Sequence, residues 1–143
     1  RVADNFNDVY FSNDAGQAES DYVFYQHNNM PHRLQNHDRA HLVIAETGIG
    51  TGLNFLNTWQ QFKTNLTSRQ HHSQEVHNPA QQNVQRLHFM SFEKYPIKTD
   101  DLQKALQVWP SLAPLSKQLL AKYPINLAGC HRLEFDHGQI QLD

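Results

Sequence analysis

The sequence predicts an α/β fold of the Rossmann-like type, in which the strands of a parallel sheet alternate with helices. Three observations carry this prediction. An apolar run at 41–45 leads into a glycine-rich turn, the turn opens a stretch with helical periodicity, and a second apolar run follows at 87–92. Since 143 residues, of which 38% are apolar, suffice for one hydrophobic core, we expect a single domain.

The amino-terminal end is predicted to form a β-hairpin. Two short aromatic and β-branched runs, 9–11 and 22–25, are typical of extended segments. Residues 12–16 between them contain Asn, Asp and Gly, which favour a turn. Residues 26–40 are polar, and Pro31 is among the residues there that interrupt regular structure.

The middle of the chain predicts a helix, an insertion and a second strand. Apolar residues recur on one helical face over about 51–63. Residues 64–83 are almost entirely polar, so we expect an exposed or disordered insertion that buries little. After the strand at 87–92, Thr99 is a candidate helix cap and Pro110 is expected to stop that helix.

The carboxyl-terminal part predicts another helix and a second hairpin. Leu115 and Leu119 lie on one face of the helix, and the runs 131–135 and 139–142 flank a turn at 136–138. The chain begins at Arg rather than Met and ends within a predicted strand. We therefore expect residues 1–143 to be an incomplete piece of a longer domain.

Composition restricts the classes of function. Twelve Lys and Arg against fourteen Asp and Glu give a net charge of -2 at pH 7, so any RNA partner needs a local basic patch. A single cysteine, Cys130, excludes an internal disulfide and favours a cytoplasmic protein. Apolar runs fall far short of the roughly 20 residues that cross a bilayer, so we expect no membrane role. The ten histidines are scattered without metal-site spacing, so we predict no metal.

The glycine-rich turn is the strongest indication of function. A nucleotide-type cofactor at the ends of parallel strands needs a backbone that it can approach closely, and Gly48, Gly50 and Gly52 provide one. The dinucleotide fingerprint would require a third glycine where this chain has Leu53. The G-x-G-x-G pattern with a preceding acid resembles motif I of class I S-adenosylmethionine-dependent methyltransferases.

Two acids at strand ends agree with a methyl donor, which carries an amino group and a ribose diol and has no pyrophosphate. Glu46 ends the first strand, where it can accept from the amino group directly or through water. Glu93 ends the next strand, the place of an acid that binds ribose hydroxyls. It lies farther from the glycines than the usual roughly 20 residues, and the insertion at 64–83 accounts for the excess.

Other interpretations stay open at this point. The glycines can serve a tight turn alone, with Glu46 and Glu93 as solvated strand-end acids. An NAD-binding oxidoreductase domain is a further alternative, disfavoured by Leu53. A non-catalytic nucleotide-binding module is the third.

Several blocks of sequence together resemble a known family. The blocks are 8–16, 19–24, 45–56, 87–94 and 124–133. They resemble the N-terminal methyltransferase domain of the bacterial tRNA 5-methylaminomethyl-2-thiouridine biosynthesis bifunctional proteins, MnmC. The fold implied is a Rossmann-like class I methyltransferase, here a truncated N-terminal part with a β-hairpin at each end.

The resemblance implies a cytoplasmic tRNA-modifying enzyme that uses S-adenosyl-L-methionine to methylate the aminomethyl group of the wobble uridine. It also implies a fused FAD-dependent oxidase domain further along the parent chain. The cofactor-binding residues implied are Glu46, Gly48, Gly50, Gly52, Asn54, Glu93 and Lys94. The residues implied at the pocket entrance are Tyr10, Ser12, Asp14, Glu19 and Tyr22.

The catalytic residue is expected outside this sequence. In the family an aspartate in an Asp-Gly-Phe-Ala-Pro block resembles the group that keeps the substrate amine deprotonated or takes its proton. This sequence ends at Asp143 before any such block, and the role is not transferred to Asp136 or Asp143. We expect the fragment alone to be inactive.

Overall fold

A computed structural model describes residues 15–36, 39–72, 85–124 and 126–143 of the chain. The elements in this part of the chain form an α/β fold with a four-stranded mixed sheet. In chain order they are α1 (Ala15–Glu19), a π-helical segment (Ser20–Gln26), α2 (Met30–Asn36), β1 (His41–Thr47), α3 (Leu53–His72), β2 (Arg86–Phe92), α4 (Thr99–Leu106), a 3-10 turn (Pro110–Leu112), α5 (Ala113–Lys122), β3 (Leu133–Phe135), a second 3-10 turn (Asp136–Gly138) and β4 (Ile140–Leu142).

The strands lie in the order β1-β2-β4-β3. Pairing is parallel between β1 and β2 and between β2 and β4, whereas β3 and β4 form an antiparallel hairpin. The predicted parallel pair and the carboxyl-terminal hairpin are therefore confirmed. Because β1 and β2 run in the same direction, both deliver their carboxyl ends to the same edge of the sheet.

The core lies between one face of the sheet and helix α3. Phe55 and Trp59 of α3 are fully buried, and the Phe55 ring lies edge-on to Phe89 of β2 with centroids 5.4 Å apart. Trp59 packs on Phe135 of β3 at 4.7 Å. Such aromatic pairs contribute about 0.5–1.5 kcal/mol beyond the burial of their area. On the opposite face, among the described residues, Val43 is 50% exposed.

The predicted amino-terminal hairpin is wrong where the structure describes it. Residues 22–25 belong to the π-helical segment, and the predicted turn already begins α1 at Ala15. The run has high β propensity, but packing overrides it: Tyr25 is buried in the core and Phe24 packs on Phe89. The other predicted run, 9–11, lies outside the described residues.

The predicted insertion is wrong in its first part, because α3 continues to His72. Thr64, Thr67 and Ser68 each donate their hydroxyl to the carbonyl four residues earlier, so these polar residues are compatible with a helix. Leu66 also packs against the core. Residues 73–83 lie outside the described part of the chain.

Two smaller predictions need correction. Residues 30–36, which read as irregular, form α2, because Pro31 occupies the first turn of a helix, where its missing N–H costs no hydrogen bond. Thr99 is the first helical residue of α4 rather than its cap, and Lys98 occupies the capping position without a side-chain hydrogen bond. The interruption of helical structure before Pro110 is as predicted.

None of the helices in the described ranges is long and apolar enough to cross a membrane.

Truncation of the central aromatic side chain tests this core. We expect Phe55→Ala to lower the free energy of unfolding by about 3–5 kcal/mol, because it leaves a cavity between α3 and the sheet. Urea unfolding measures the change. Leu127→Ala, at a position that is 62% exposed, is the control and should change stability by less than about 0.5 kcal/mol. Equal effects of the two substitutions would contradict the assigned core.

Candidate cofactor site

The candidate site lies at the carboxyl ends of β1 and β2, under the turn that leads into α3. The Gly48 N–H donates to the Phe92 carbonyl at 2.8 Å, so the turn leaves the sheet still attached to β2. The Gly52 N–H then donates to the Ile49 carbonyl at 2.8 Å, which closes the turn and starts the helix.

The three glycines of the turn all have left-handed backbone conformations. Their φ values are +85° at Gly48, +52° at Gly50 and +73° at Gly52, a region that other residues adopt only at a cost. At Gly52 a Cβ would also lie 3.2 Å from Leu119 of α5, so this glycine permits close packing of helix on helix. The spacing of the glycines is therefore a backbone requirement of this turn.

Glu93 holds the turn from the side of β2. Its Oε2 accepts a long hydrogen bond from the Gly50 N–H at 3.4 Å, and its Oε1 accepts from the Tyr95 N–H at 2.8 Å. A Cβ at Gly48 would lie 3.8 Å from the same Oε2. The carboxylate therefore lies directly against the glycine backbone.

Glu46 is the second strand-end acid, and its two oxygens have different surroundings. Oε2 accepts from the Asn54 amide at 3.1 Å. Oε1 is buried and has no hydrogen-bond partner among the described residues. Burial raises the pKa of Glu46, the Asn54 hydrogen bond opposes that rise, and the charge of Glu93 adds to it. A buried carboxylate oxygen without a donor is suited to a cationic or hydrogen-bonding ligand.

A cavity of about 420 Å³ lies between the glycine turn and the helical segment that precedes α2. Its volume falls in the range of roughly 300–1,000 Å³ that small-molecule clefts occupy. The residues that line it are Gly16, Glu19, Ser20, Val23, Phe24, Asn28, Gly48, Ile49, Gly50, Thr51, Leu53 and Asn54.

The structure brings some of the residues proposed from sequence together and leaves others apart. Gly48, Gly50, Asn54 and Glu19 line the cavity. Gly52, Glu46 and Glu93 are not among its lining residues: Gly52 is buried, and the two acids are half-buried beside the turn.

The other proposed residues lie differently. Lys94 is exposed with its Nζ 5.0 Å from the centre of the Tyr95 ring, and neither lines the cavity. Tyr22 is 59% exposed and packs edge-on against His27. The remaining proposed residues, Tyr10, Ser12 and Asp14, lie outside the described residues.

Sequence reasoning missed a buried polar cluster beside the cavity. The Ser20 hydroxyl donates to Asn54 Oδ1 at 2.8 Å, and the Asn57 amide donates to Asp21 Oδ1 at 2.7 Å. One signal was present in the sequence: Asn57 lies one helical turn after Asn54 in a helix whose neighbouring residues are apolar, a position where an amide needs partners.

Metal-ligating side chains do not assemble into a site in the part of the chain that the structure describes. No group of three or more His, Cys, Asp or Glu side chains there is placed to hold an ion. Cys130 is exposed.

The surroundings of Glu46 predict a specific pH dependence of stability. Because the folded-state pKa is raised, the unfolded chain loses this proton first as pH rises above the ordinary value of 4.5. The ligand-free protein should therefore lose stability as pH rises from that value to the raised pKa. We expect Glu46→Gln to remove this loss, measured by urea unfolding at several pH values.

A matched control separates Glu46 from carboxylates in general. Glu134→Gln, at an exposed position on β3, should leave the pH dependence of stability as it is in the unchanged protein. A loss of stability with pH that persists in Glu46→Gln would assign the effect to another group.

Comparison with known proteins completes the description of the site. No model of a protein family matches the chain. It is 58% identical over 142 residues to the tRNA 5-methylaminomethyl-2-thiouridine biosynthesis bifunctional protein MnmC of Pseudoalteromonas translucida, a match that covers 99% of this chain and 20% of that protein. The proteins of the same name from Aeromonas salmonicida and Aliivibrio fischeri are 49% and 48% identical over the same length. The chain spans about a fifth of the length of these curated relatives.

Proposed function

We propose that this chain is the S-adenosylmethionine-binding part of a methyltransferase domain that acts on tRNA. The reaction proposed is methylation of the aminomethyl group of the wobble uridine, from 5-aminomethyl-2-thiouridine to 5-methylaminomethyl-2-thiouridine. One observation carries the proposal: a turn of three left-handed glycines lies between two strand-end carboxylates, one of which has a buried oxygen with no hydrogen-bond partner among the described residues. The relatives that are 48–58% identical are named for biosynthesis of this nucleoside, which supports the proposal.

The residues present fit the donor chemically. Its amino group and its ribose hydroxyls are hydrogen-bond donors, and the site offers carboxylate oxygens as acceptors. Glu46 Oε1 suits the ammonium group, since it is buried and unsatisfied among the described residues. Glu93 suits the ribose, because its bond to the Gly50 N–H is long enough to leave acceptor capacity. Gly48 and Gly50 allow the nucleoside to approach the backbone closely.

The role proposed for this part of the chain is to bind and orient the donor. When bound, the donor supplies an electrophilic methyl group on a sulfonium, which a neutral amine attacks in line. Gly48, Gly50 and Glu93 would fix the nucleoside and Glu46 the amino-acid end, which sets the direction of the methyl group. The residue that holds the proton of the substrate amine is proposed to lie in the sequence that follows Asp143 in the parent protein.

The whole parent protein is proposed to be a cytoplasmic, multifunctional tRNA-processing enzyme. Its further domain would be an FAD-dependent oxidase that prepares the amine, which agrees with the word bifunctional in the names of the relatives. FAD has no proposed site in the present chain.

Two alternatives predict different ligands or activities. An NAD-dependent oxidoreductase would place a pyrophosphate at the turn, where Glu46 and Glu93 both present negative charge and Leu53 replaces the third glycine. A non-catalytic nucleotide-binding module would use the same cavity but would transfer no methyl group.

Separate titrations distinguish these functions. We expect the intact protein to bind S-adenosylmethionine and not NAD by isothermal titration calorimetry. Transfer of a labelled methyl group to tRNA that carries 5-aminomethyl-2-thiouridine then separates an enzyme from a binding module. Binding of NAD alone would contradict the proposal.

Substitution of the central glycine tests the turn. We expect Gly50→Val to weaken donor binding by at least about a hundredfold, since a side chain at φ +52° strains the turn and occupies the donor's approach. Calorimetric titration measures the affinity.

Gly138→Val is the matched control for backbone strain. Gly138 also has a positive φ, +81°, but belongs to the turn between β3 and β4 with open space around its Cβ position. Its substitution should lower stability and leave donor affinity within about twofold. If Gly50→Val retained full affinity, the turn would not be the site.

A further inference from the structure

A continuous chain of hydrogen bonds joins the helical segment at the cavity to Glu46 through α3. The Asn57 amide donates to Asp21 Oδ1 at 2.7 Å and to Ser20 Oγ at 3.3 Å. The Ser20 hydroxyl donates to Asn54 Oδ1 at 2.8 Å, and the Asn54 amide donates to Glu46 Oε2 at 3.1 Å. The chain spans 34 residues of sequence between Ser20 and Asn54.

The direction of every bond in this chain is fixed from its two ends. A carboxylate only accepts, so each Asn must turn its nitrogen to the neighbouring acid. Asn54 then presents its oxygen to Ser20, which must donate. Asn57 presents a nitrogen to Ser20, which must therefore accept from it. Because the Ser20 hydroxyl oxygen is the one atom of this network that both donates and accepts, it makes the orientations of Asn54 and Asn57 compatible.

Burial makes the network a constraint on geometry. Ser20 is 6% and Asn57 is 1% exposed, so water cannot readily replace a lost partner. The network occupies Glu46 Oε2 and leaves Oε1 buried without a partner among the described residues. The network therefore fixes one oxygen of Glu46 and leaves the other available as an acceptor.

We infer that Ser20 is a positioning residue of the donor site: its hydroxyl orients Asn54, and Asn54 holds Glu46 so that Oε1 accepts from the ammonium group of the methyl donor. This inference rests on the proposed function. Ser20 and Asn54 both line the cavity, and Asn54 donates to Glu46, so packing of the helical segment on α3 and orientation of Glu46 are coupled through these two hydrogen bonds. Ligands that carry the ammonium group therefore bind more tightly when the π-helical segment packs on α3. Their binding stabilises that packing in return.

A double-mutant cycle distinguishes positioning from a structural role. The variants are Ser20→Ala, Glu46→Gln and the double variant of the intact protein, and the probe is S-adenosylhomocysteine, which retains the ammonium group. We expect Ser20→Ala to weaken binding about five- to tenfold, the loss typical of a hydrogen bond between neutral groups. In the Glu46→Gln background it should weaken binding by less than about twofold, because the group that it positions is already absent.

Ser116→Ala is the matched control. Ser116 of α5 is 5% exposed, close to the 6% of Ser20, but its Oγ has no hydrogen-bond partner among the described residues. Its substitution should leave the affinity within about twofold. Should Ser20→Ala fail to fold, Asn54→Leu breaks the same network and takes its place in the cycle.

The outcomes distinguish a failure of the proposed function from a failure of the positioning role of Ser20. If the unchanged protein does not bind S-adenosylhomocysteine, the proposed function is wrong. If it binds the probe and Ser20→Ala has no effect, or an equal effect in both backgrounds, the positioning role is wrong and the proposed function stands. The expected result is that Ser20→Ala lowers the affinity for S-adenosylhomocysteine only when Glu46 is present.

Discussion

The parallel pairing of β1 with β2 in a single register is the constraint on which the site depends. Thr47 lies opposite Phe92, so the two strands end at the same level. Because side chains alternate between the faces of a sheet, a slip of one residue would turn Ile44 away from the core. Burial therefore specifies the register, and the same register brings Glu46 and Glu93 to one edge. The two acids are neighbours as a consequence of the packing of residues that never touch the cavity.

Helix α3 carries both apolar side chains of the core and polar side chains beside the candidate site. Phe55 and Trp59 fill the core, whereas Asn57 carries an amide to nearly the same depth and Asn54 is half-buried. A buried polar group without a partner costs roughly 1–3 kcal/mol, so the acceptors of both amide nitrogens stabilise this arrangement, although Asn57 Oδ1 has no partner among the described residues. The π-helical segment supplies partners to both residues, in particular Ser20. Packing of that segment on α3 is thus required by both the fold and the site.

Local sequence patterns were enough to predict the central strands, the glycine turn and the carboxyl-terminal hairpin. Each of these has its cause nearby in the chain: apolar runs, glycines at fixed spacing, or a short turn between two runs. The run 22–25 and the residues 64–72 were mispredicted for the same reason. Their composition favours strand and disorder, but burial of Tyr25 against the core and bonds such as Thr64 to the Gln60 carbonyl favour helix.

Only the part of the candidate site formed by the glycine turn and the strand ends could be predicted from the sequence. Glu46 and Glu93 were found because the ends of parallel strands meet. Ser20 could not be found, because it reaches Asn54 across 34 residues and precedes a run, 22–25, that was predicted to be extended. Side-chain networks of this kind depend on tertiary packing, for which local periodicity carries no information.

Electrostatics give a stronger reason for a cationic ligand than the spacing of the glycines does. Glu46 is held near Glu93, and both burial and that neighbouring charge raise its pKa. A pyrophosphate at this turn would add negative charge to two carboxylates, whereas an ammonium group and ribose hydroxyls would supply the donors that Glu46 Oε1 lacks among the described residues. Under the proposed function, a bound cation would recover the free energy that burial of this carboxylate costs the fold. The same arrangement that costs the fold stability would therefore favour the proposed cationic nucleoside over a dinucleotide.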